Sequence, residues 1–274
     1  MVAARMAGHA KTRRPSETMP EVSRHAVVEP TAELAGDVRV GPFCYVGPEV
    51  VIGAGSILES HVTVVGRTTL GAGTRVFPLA VIGTEAPGGD GDPTCIIGEA
   101  NTIREHVTIC AGTAPPTRIG NHNLIMIASH IGAGTTIGDH GIFDNCSQIG
   151  ARAVIEDYVR TSGFAAVRPG VRVGAYSFVL GYSVVQEDAP PYAMLQGFPV
   201  RVRGVNARNL EACGFGQSDI HALKAVFREL FDGGNSQANP KVLKRIGEED
   251  RNPCVRRLIE AVRDGAAHAE AEHG

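Results

Sequence analysis

Histidines are the residues whose spacing most readily suggests chemistry. His122 and His140 lie 18 residues apart, and His130 stands between them in "IASHIGAGTTIG", where it is the one titratable side chain among small and aliphatic neighbours. An imidazole titrates near neutrality and can accept a proton from a hydroxyl as a general base. Surface histidines are also commonplace, so His130 is read both ways. His122 and His140 could supply part of a metal site, but zinc requires at least three protein ligands. Exposed ladder histidines are the better account of that pair. Asn145 and Gly163, again 18 apart, pair a side-chain amide with an open backbone position, and an asparagine at a structural corner is the alternative. Cys44, Cys95, Cys110, Cys146, Cys213 and Cys254 show no CxxC spacing and read as reduced, packed thiols. Runs such as "GAGTRVFPLAVIG" are not phosphate loops, because their glycines recur every six residues and precede strands instead of opening a helix.

The elements that must position these residues follow from a period of six. Aliphatic residues recur at Val28, Leu34, Val40, Val46, Ile52, Leu58, Val64, Leu70, Val76 and Ile82, at Ile97, Ile103 and Ile109, and from Ile119 through Val185 with only Phe143 and Thr161 departing. The residue two before is usually small or β-branched, as in Ala26, Val38, Cys44, Ser56 and Thr74. Such hexapeptides each form one face of a triangular coil, three to a turn of a parallel β-helix, with turns stacked at about 4.8 Å. Roughly eight coils are expected on this count. Residues 18 apart in an unbroken stretch then lie on adjacent coils, which places His140 beside His122 and puts His130 on a different corner.

Three segments are expected: a mobile tail over 1–24, the β-helix over 25–190 with loops near 84–96 and 112–118, and a helical region over 191–274. In the last, Ser218 and Asp219 are expected to cap a helix with an apolar face of Ile220, Leu223, Phe227, Leu230 and Phe231, closed by Gly233-Gly234. Two further helices are expected in "NPKVLKRIG" and "NPCVRRLIEAVRDG", with a frayed "AAHAEAEHG" tail. A net charge of −3 and a pI near 6.4 give no basic footprint for nucleic acid. The chain lacks the run of about 18 apolar residues that a membrane span needs, and its basic N-terminal stretch lacks the apolar core of a secretory signal.

"VGPFCYVGPEVVIGAGSILESHV", "NTIREHVTICAGT", "NHNLIMIASHIG", "QEDAPPYAMLQGFP" and "GVNARNLEACGF" resemble the acyl-ACP:UDP-N-acetylglucosamine O-acyltransferases of lipid A biosynthesis over about Pro30 to Gly234. The resemblance implies a mainly β fold, a left-handed parallel β-helix of hexapeptide repeats followed by a small α-helical C-terminal region. It also implies a cytoplasmic homotrimer with sites between neighbouring subunits, acyl carrier protein and a nucleotide sugar as partners, and no metal or nucleotide cofactor. A histidine would take the proton of a sugar hydroxyl and a backbone N–H would hold the oxyanion.

Carried across residue by residue, the resemblance assigns His130 and the Ala151 N–H to catalysis, and Asn145, Gly163, Arg168, Gly181, Gln196 and Asn206 to substrate binding. The family's pattern ends in His-Ile-Ala-His-Asp with the second histidine as base, where this chain reads His130-Ile131-Gly132-Ala133-Gly134. Other family histidines are replaced by Cys110, Arg152 and Arg168, and a basic pair by Ala212-Cys213. Two readings stand at this point: an acyltransferase with His130 or a group from the adjoining subunit as base, and a paralogue that binds carrier protein or nucleotide without transfer.

Overall fold

The computed structural model describes residues 19–85, 91–231, 238–249 and 252–273. Its strands are mostly two residues long, one side chain outward and the next inward, because a hexapeptide leaves no more than that between corners. These strands stack into three parallel sheets of 11, 9 and 8 strands. The first sheet opens with Glu21–Val22, the second with Val27–Val28 and the third with Glu33–Leu34. Together they form a left-handed parallel β-helix of about nine turns. The extra turn over the expected number comes partly from the N-terminus, where Glu21–Val22 pairs with Arg39–Val40 inside the segment expected to be a tail.

The core is the aliphatic series read from the sequence. From Val40 through Val185 the side chains at those positions are buried, including Phe143 and Thr161. The small residues two places earlier are buried too, and their hydroxyls have a task. Ser56 Oγ donates to the Gly71 carbonyl at 3.0 Å, Ser129 Oγ to Asp144 at 3.1 Å and Thr135 Oγ1 to Gly150 at 2.9 Å, so each ties its coil to the next. Asn101 and Asn123 make the same link with amides. Asn123 Nδ2 donates to Gly138 O at 2.9 Å, and its Oδ1 accepts from Gly141 N. Among the described residues every buried side-chain N or O has a partner, as a buried polar group requires.

Corners are turned by single residues in the left-handed region, many of them not glycine. His122, His140, Tyr158 and Tyr176 have φ of 57°, 59°, 57° and 61° at the corner joining the third sheet to the first. A non-glycine residue there is strained by about 1–2 kcal/mol. Stacking offsets part of that cost: ring centroids are 5.0 Å apart for His122 and His140, 4.7 Å for His140 and Tyr158, and 4.9 Å for Tyr158 and Tyr176. The expected histidine ladder is therefore a longer aromatic one.

Past Val185 the strand Ala193–Gln196 adds in parallel to Phe178–Val179, then turns back as an antiparallel hairpin with Arg201–Val205. Four helices follow: α1 (Ala207–Ala212), α2 (Gln217–Leu230), α3 (Pro240–Glu249) and α4 (Pro253–His273). Helix α2 buries the expected Ile220, Leu223, Phe227 and Leu230. Its N-cap is Gly216, without a side-chain cap, and Ser218 and Asp219 fall inside the first turn instead. The expected Gly233-Gly234 stop lies outside the described residues. Helix α4 runs through the stretch expected to fray. An ion pair between Arg257 of α4 and Glu156, at 3.2 Å, ties the helical region to the β-helix.

Candidate active site

His130 opens the strand His130–Ile131 of the second sheet. Ile131 takes the inward position and is fully buried, which forces His130 to face outward. Parallel register sets Thr108 beside it on one side and Gln148 on the other. Thr108 Oγ1 and His130 Nδ1 are 2.7 Å apart. The imidazole is half-buried, and desolvation pushes its pKa below the ordinary 6.5. Burial disfavours the cation, so the ring is neutral at pH 7 and able to accept a proton.

Ala133 and Gly134 lie on the corner that follows. The Arg152 N–H donates to Ala133 O at 2.9 Å, and a Cβ built on Gly134 would lie 3.1 Å from Arg152 Cγ. The methylene stem of Arg152 thus covers Gly134. Ala151 stands one coil on from Ala133, at the same corner. Gly132 packs directly against its backbone, since a Cβ on Gly132 would lie 2.5 Å from Ala151 N. Glycine is needed at 132 for this close approach.

Asn145, Gly163 and Gly181 form a column at the corner joining the first sheet to the second. The Phe164 N–H donates to Asn145 O at 3.0 Å and the Tyr182 N–H to Gly163 O at 3.3 Å. At the end of the column the Val184 N–H donates to Gly197 O at 3.2 Å, which brings Gln196 and Gly197 to the same edge. Gln196 Oε1 accepts from Arg203 Nε at 3.0 Å. Arg168 is exposed, follows the inward Val167, and makes no ion pair among the described residues.

Asn206 is not with this group. It is buried, its Nδ2 donates to Tyr176 O at 2.9 Å and its own N–H to Tyr192 O at 2.7 Å. Those contacts attach α1 to the aromatic corner, which is a structural task. His122 and His140, on that same corner, are likewise separate from His130.

Two features escaped the sequence reading. Thr108 is 22 residues from His130, not 18, because the "GTAPPTR" insertion lengthens that turn. A ridge with exposed apolar members also runs along the column corner: Phe43, Leu79, Phe164 and Tyr182 adopt positive φ there, with His61, His106, Ala128 and Cys146 at the intervening turns, and Phe164 and Tyr182 stack at 5.2 Å while 55% and 77% exposed. The 18-residue separation of Phe164 and Tyr182 was the available signal.

Among the described residues no group of three or more His, Cys, Asp or Glu is placed to hold a metal ion, and no helix is long and apolar enough to cross a membrane.

A family model described as UDP N-acetylglucosamine O-acyltransferase, domain 2, matches residues 188–269. The acyl-[acyl-carrier-protein]–UDP-N-acetylglucosamine O-acyltransferase of Rhizobium rhizogenes is 41% identical over 221 residues, covering 78% of this chain and 82% of that protein. The enzyme of the same name from Saccharophagus degradans is 39% identical over 215 residues, covering 76% and 83%. Among solved structures, LpxA from Acinetobacter baumannii superposes with a TM-score of 0.83 at 31% identity, over 89% of this chain and 96% of that one. The Francisella novicida UDP-N-acetylglucosamine acyltransferase superposes with a TM-score of 0.79 at 30% identity, over 87% and 90%. Agreement of this extent, across both the β-helix and the C-terminal helices, makes the chain a member of the acyl-[acyl-carrier-protein]–UDP-N-acetylglucosamine O-acyltransferase family.

Proposed function

We propose that this chain moves an acyl group from acyl carrier protein to a hydroxyl of UDP-N-acetylglucosamine, as the names of its relatives describe, with His130 as the general base. One observation carries the assignment of the base. His130 is a half-buried imidazole kept neutral by desolvation, and a hydroxyl holds its Nδ1 at 2.7 Å. Nε2 takes the proton from the sugar hydroxyl as its oxygen attacks the thioester carbonyl. The tetrahedral oxyanion accepts a hydrogen bond from the Ala151 N–H. Collapse breaks the C–S bond, and the imidazolium returns its proton to the departing thiolate of the carrier.

The column of Asn145, Gly163, Gly181 and Gln196 flanks the base and is the proposed substrate-binding edge, with Arg168 supplying positive charge for phosphate or an acidic carrier. Exposed apolar side chains recurring along one corner, the pair Phe164 and Tyr182 above all, favour burial against another surface. We assign the ridge to a homotrimer, in which a second copy completes the cleft. The proposed place of action is the cytoplasm.

Incubating the purified chain with acyl carrier protein thioesters of graded chain length and UDP-N-acetylglucosamine tests the proposal. An O-acylated sugar nucleotide seen by mass spectrometry supports it. Ala133, where the resemblance implies a histidine, favours the second reading if no product forms while carrier protein or nucleotide still binds.

A further inference from the structure

We propose that Thr108 is a positioning residue that fixes the tautomer of His130, an inference that rests on His130 acting as the base. A base working through Nε2 needs the ring proton on Nδ1, whereas a free neutral imidazole in water prefers it on Nε2. An acceptor beside Nδ1 reverses that preference, as the buried carboxylate does in a catalytic triad. Here the only side chain hydrogen-bonded to the ring among the described residues is the Thr108 hydroxyl, at 2.7 Å. A contact of 2.7 Å suits either direction of donation; in the proposed arrangement the hydroxyl is the acceptor of the Nδ1–H, which leaves the Nε2 lone pair free for the sugar hydroxyl.

The fold leaves Thr108 little choice of partner. Its strand, Thr108–Ala111, is paired in register with His130–Ile131, and Ile109 and Ile131 are both fully buried inward neighbours. The two outward side chains are therefore held one strand spacing apart. Because the partner is neutral, no buried ion pair forms, and the desolvated ring stays uncharged between turnovers. A carboxylate in the same place would raise its affinity for the proton. The arrangement suits a base that must release its proton to the carrier thiolate.

Thr108→Val keeps the β-branched shape that suits a strand while removing the acceptor, and Thr108→Ser keeps the hydroxyl. The prediction is a fall of about tenfold in kcat, the value of one lost hydrogen bond, with KM unchanged in Thr108→Val and near-wild-type turnover in Thr108→Ser. ¹⁵N NMR of the imidazole in the full-length chain reads the tautomer directly: the ring proton moves from Nδ1 toward Nε2 in Thr108→Val and stays on Nδ1 in Thr108→Ser. An unchanged tautomer in Thr108→Val overturns the proposal. Full activity in His130→Ala would instead overturn the base assignment, and the NMR result would still decide whether Thr108 orients the ring.

Discussion

Replacing Asn123 by leucine tests whether the amide links inside the β-helix stabilise it. Asn123 is 1% exposed, donates from Nδ2 to Gly138 O at 2.9 Å, and accepts at Oδ1 from Gly141 N. Leucine fills much the same space but leaves that carbonyl and that N–H unpaired. Each orphaned buried group costs about 1–3 kcal/mol, so the substitution should destabilise by about 2–6 kcal/mol, with added apolar contact returning a fraction. Denaturant midpoints are to be compared at one fixed protein concentration, because association of subunits adds to apparent stability. Coils contact only their neighbours, so amide hydrogen exchange should accelerate mainly around 101–141 and leave the coils near Glu21 and Val185 protected. A loss below about 0.5 kcal/mol, the usual scatter of a neutral surface change, would refute the reasoning.

Gly132→Ala drives a Cβ to 2.5 Å from Ala151 N and should lower kcat by about 10²-fold, the cost of one oxyanion donor, with an unchanged circular dichroism spectrum. The pKa of His130 lies below 6.5, so kcat/KM should hold its plateau as pH falls through 6.5 and decline only at lower pH. The same shift acts on stability. Below 6.5 the unfolded chain binds the proton first, so the His130 contribution is complete above 6.5 and is lost as pH falls through the lower folded value. Wild type should therefore lose more stability between pH 7.5 and 5.5 than His130→Gln. Tyr182→Asp places a charge on the apolar ridge and should dissociate the proposed homotrimer in sedimentation velocity; an unaltered mass would remove the ridge from the interface.

Much of the fold could be read from the sequence because each hexapeptide sends one aliphatic side chain inward, and burial of Ile52, Ile103, Ile131 and Val179 is the direct result. Handedness could not be read that way, since an inward residue every six positions suits either hand; it came from the resemblance. The N-terminal boundary was missed because Glu21–Val22 is exposed and carries no inward signal, yet it pairs through its backbone. The cap of α2 was misplaced because Ser218 and Asp219 resemble capping residues, while Gly216 supplies the extended conformation that starts the helix.

His130 was visible as an outward residue beside a buried isoleucine. Thr108 was not, because the insertion between them changes the spacing from 18 to 22 and only the register of the folded sheet restores the pair. Asn206 was assigned to substrate by resemblance alone, and its engagement with Tyr176 is a contact across 30 residues that no local pattern announces.

The most direct measurement is kcat/KM for acyl transfer from acyl carrier protein to UDP-N-acetylglucosamine, comparing wild type with His130→Ala. Loss of a general base costs about 10²–10⁴-fold, and a fall in that range, with carrier-protein binding retained, is the predicted result. Equal turnover in the two proteins would contradict His130 as the base.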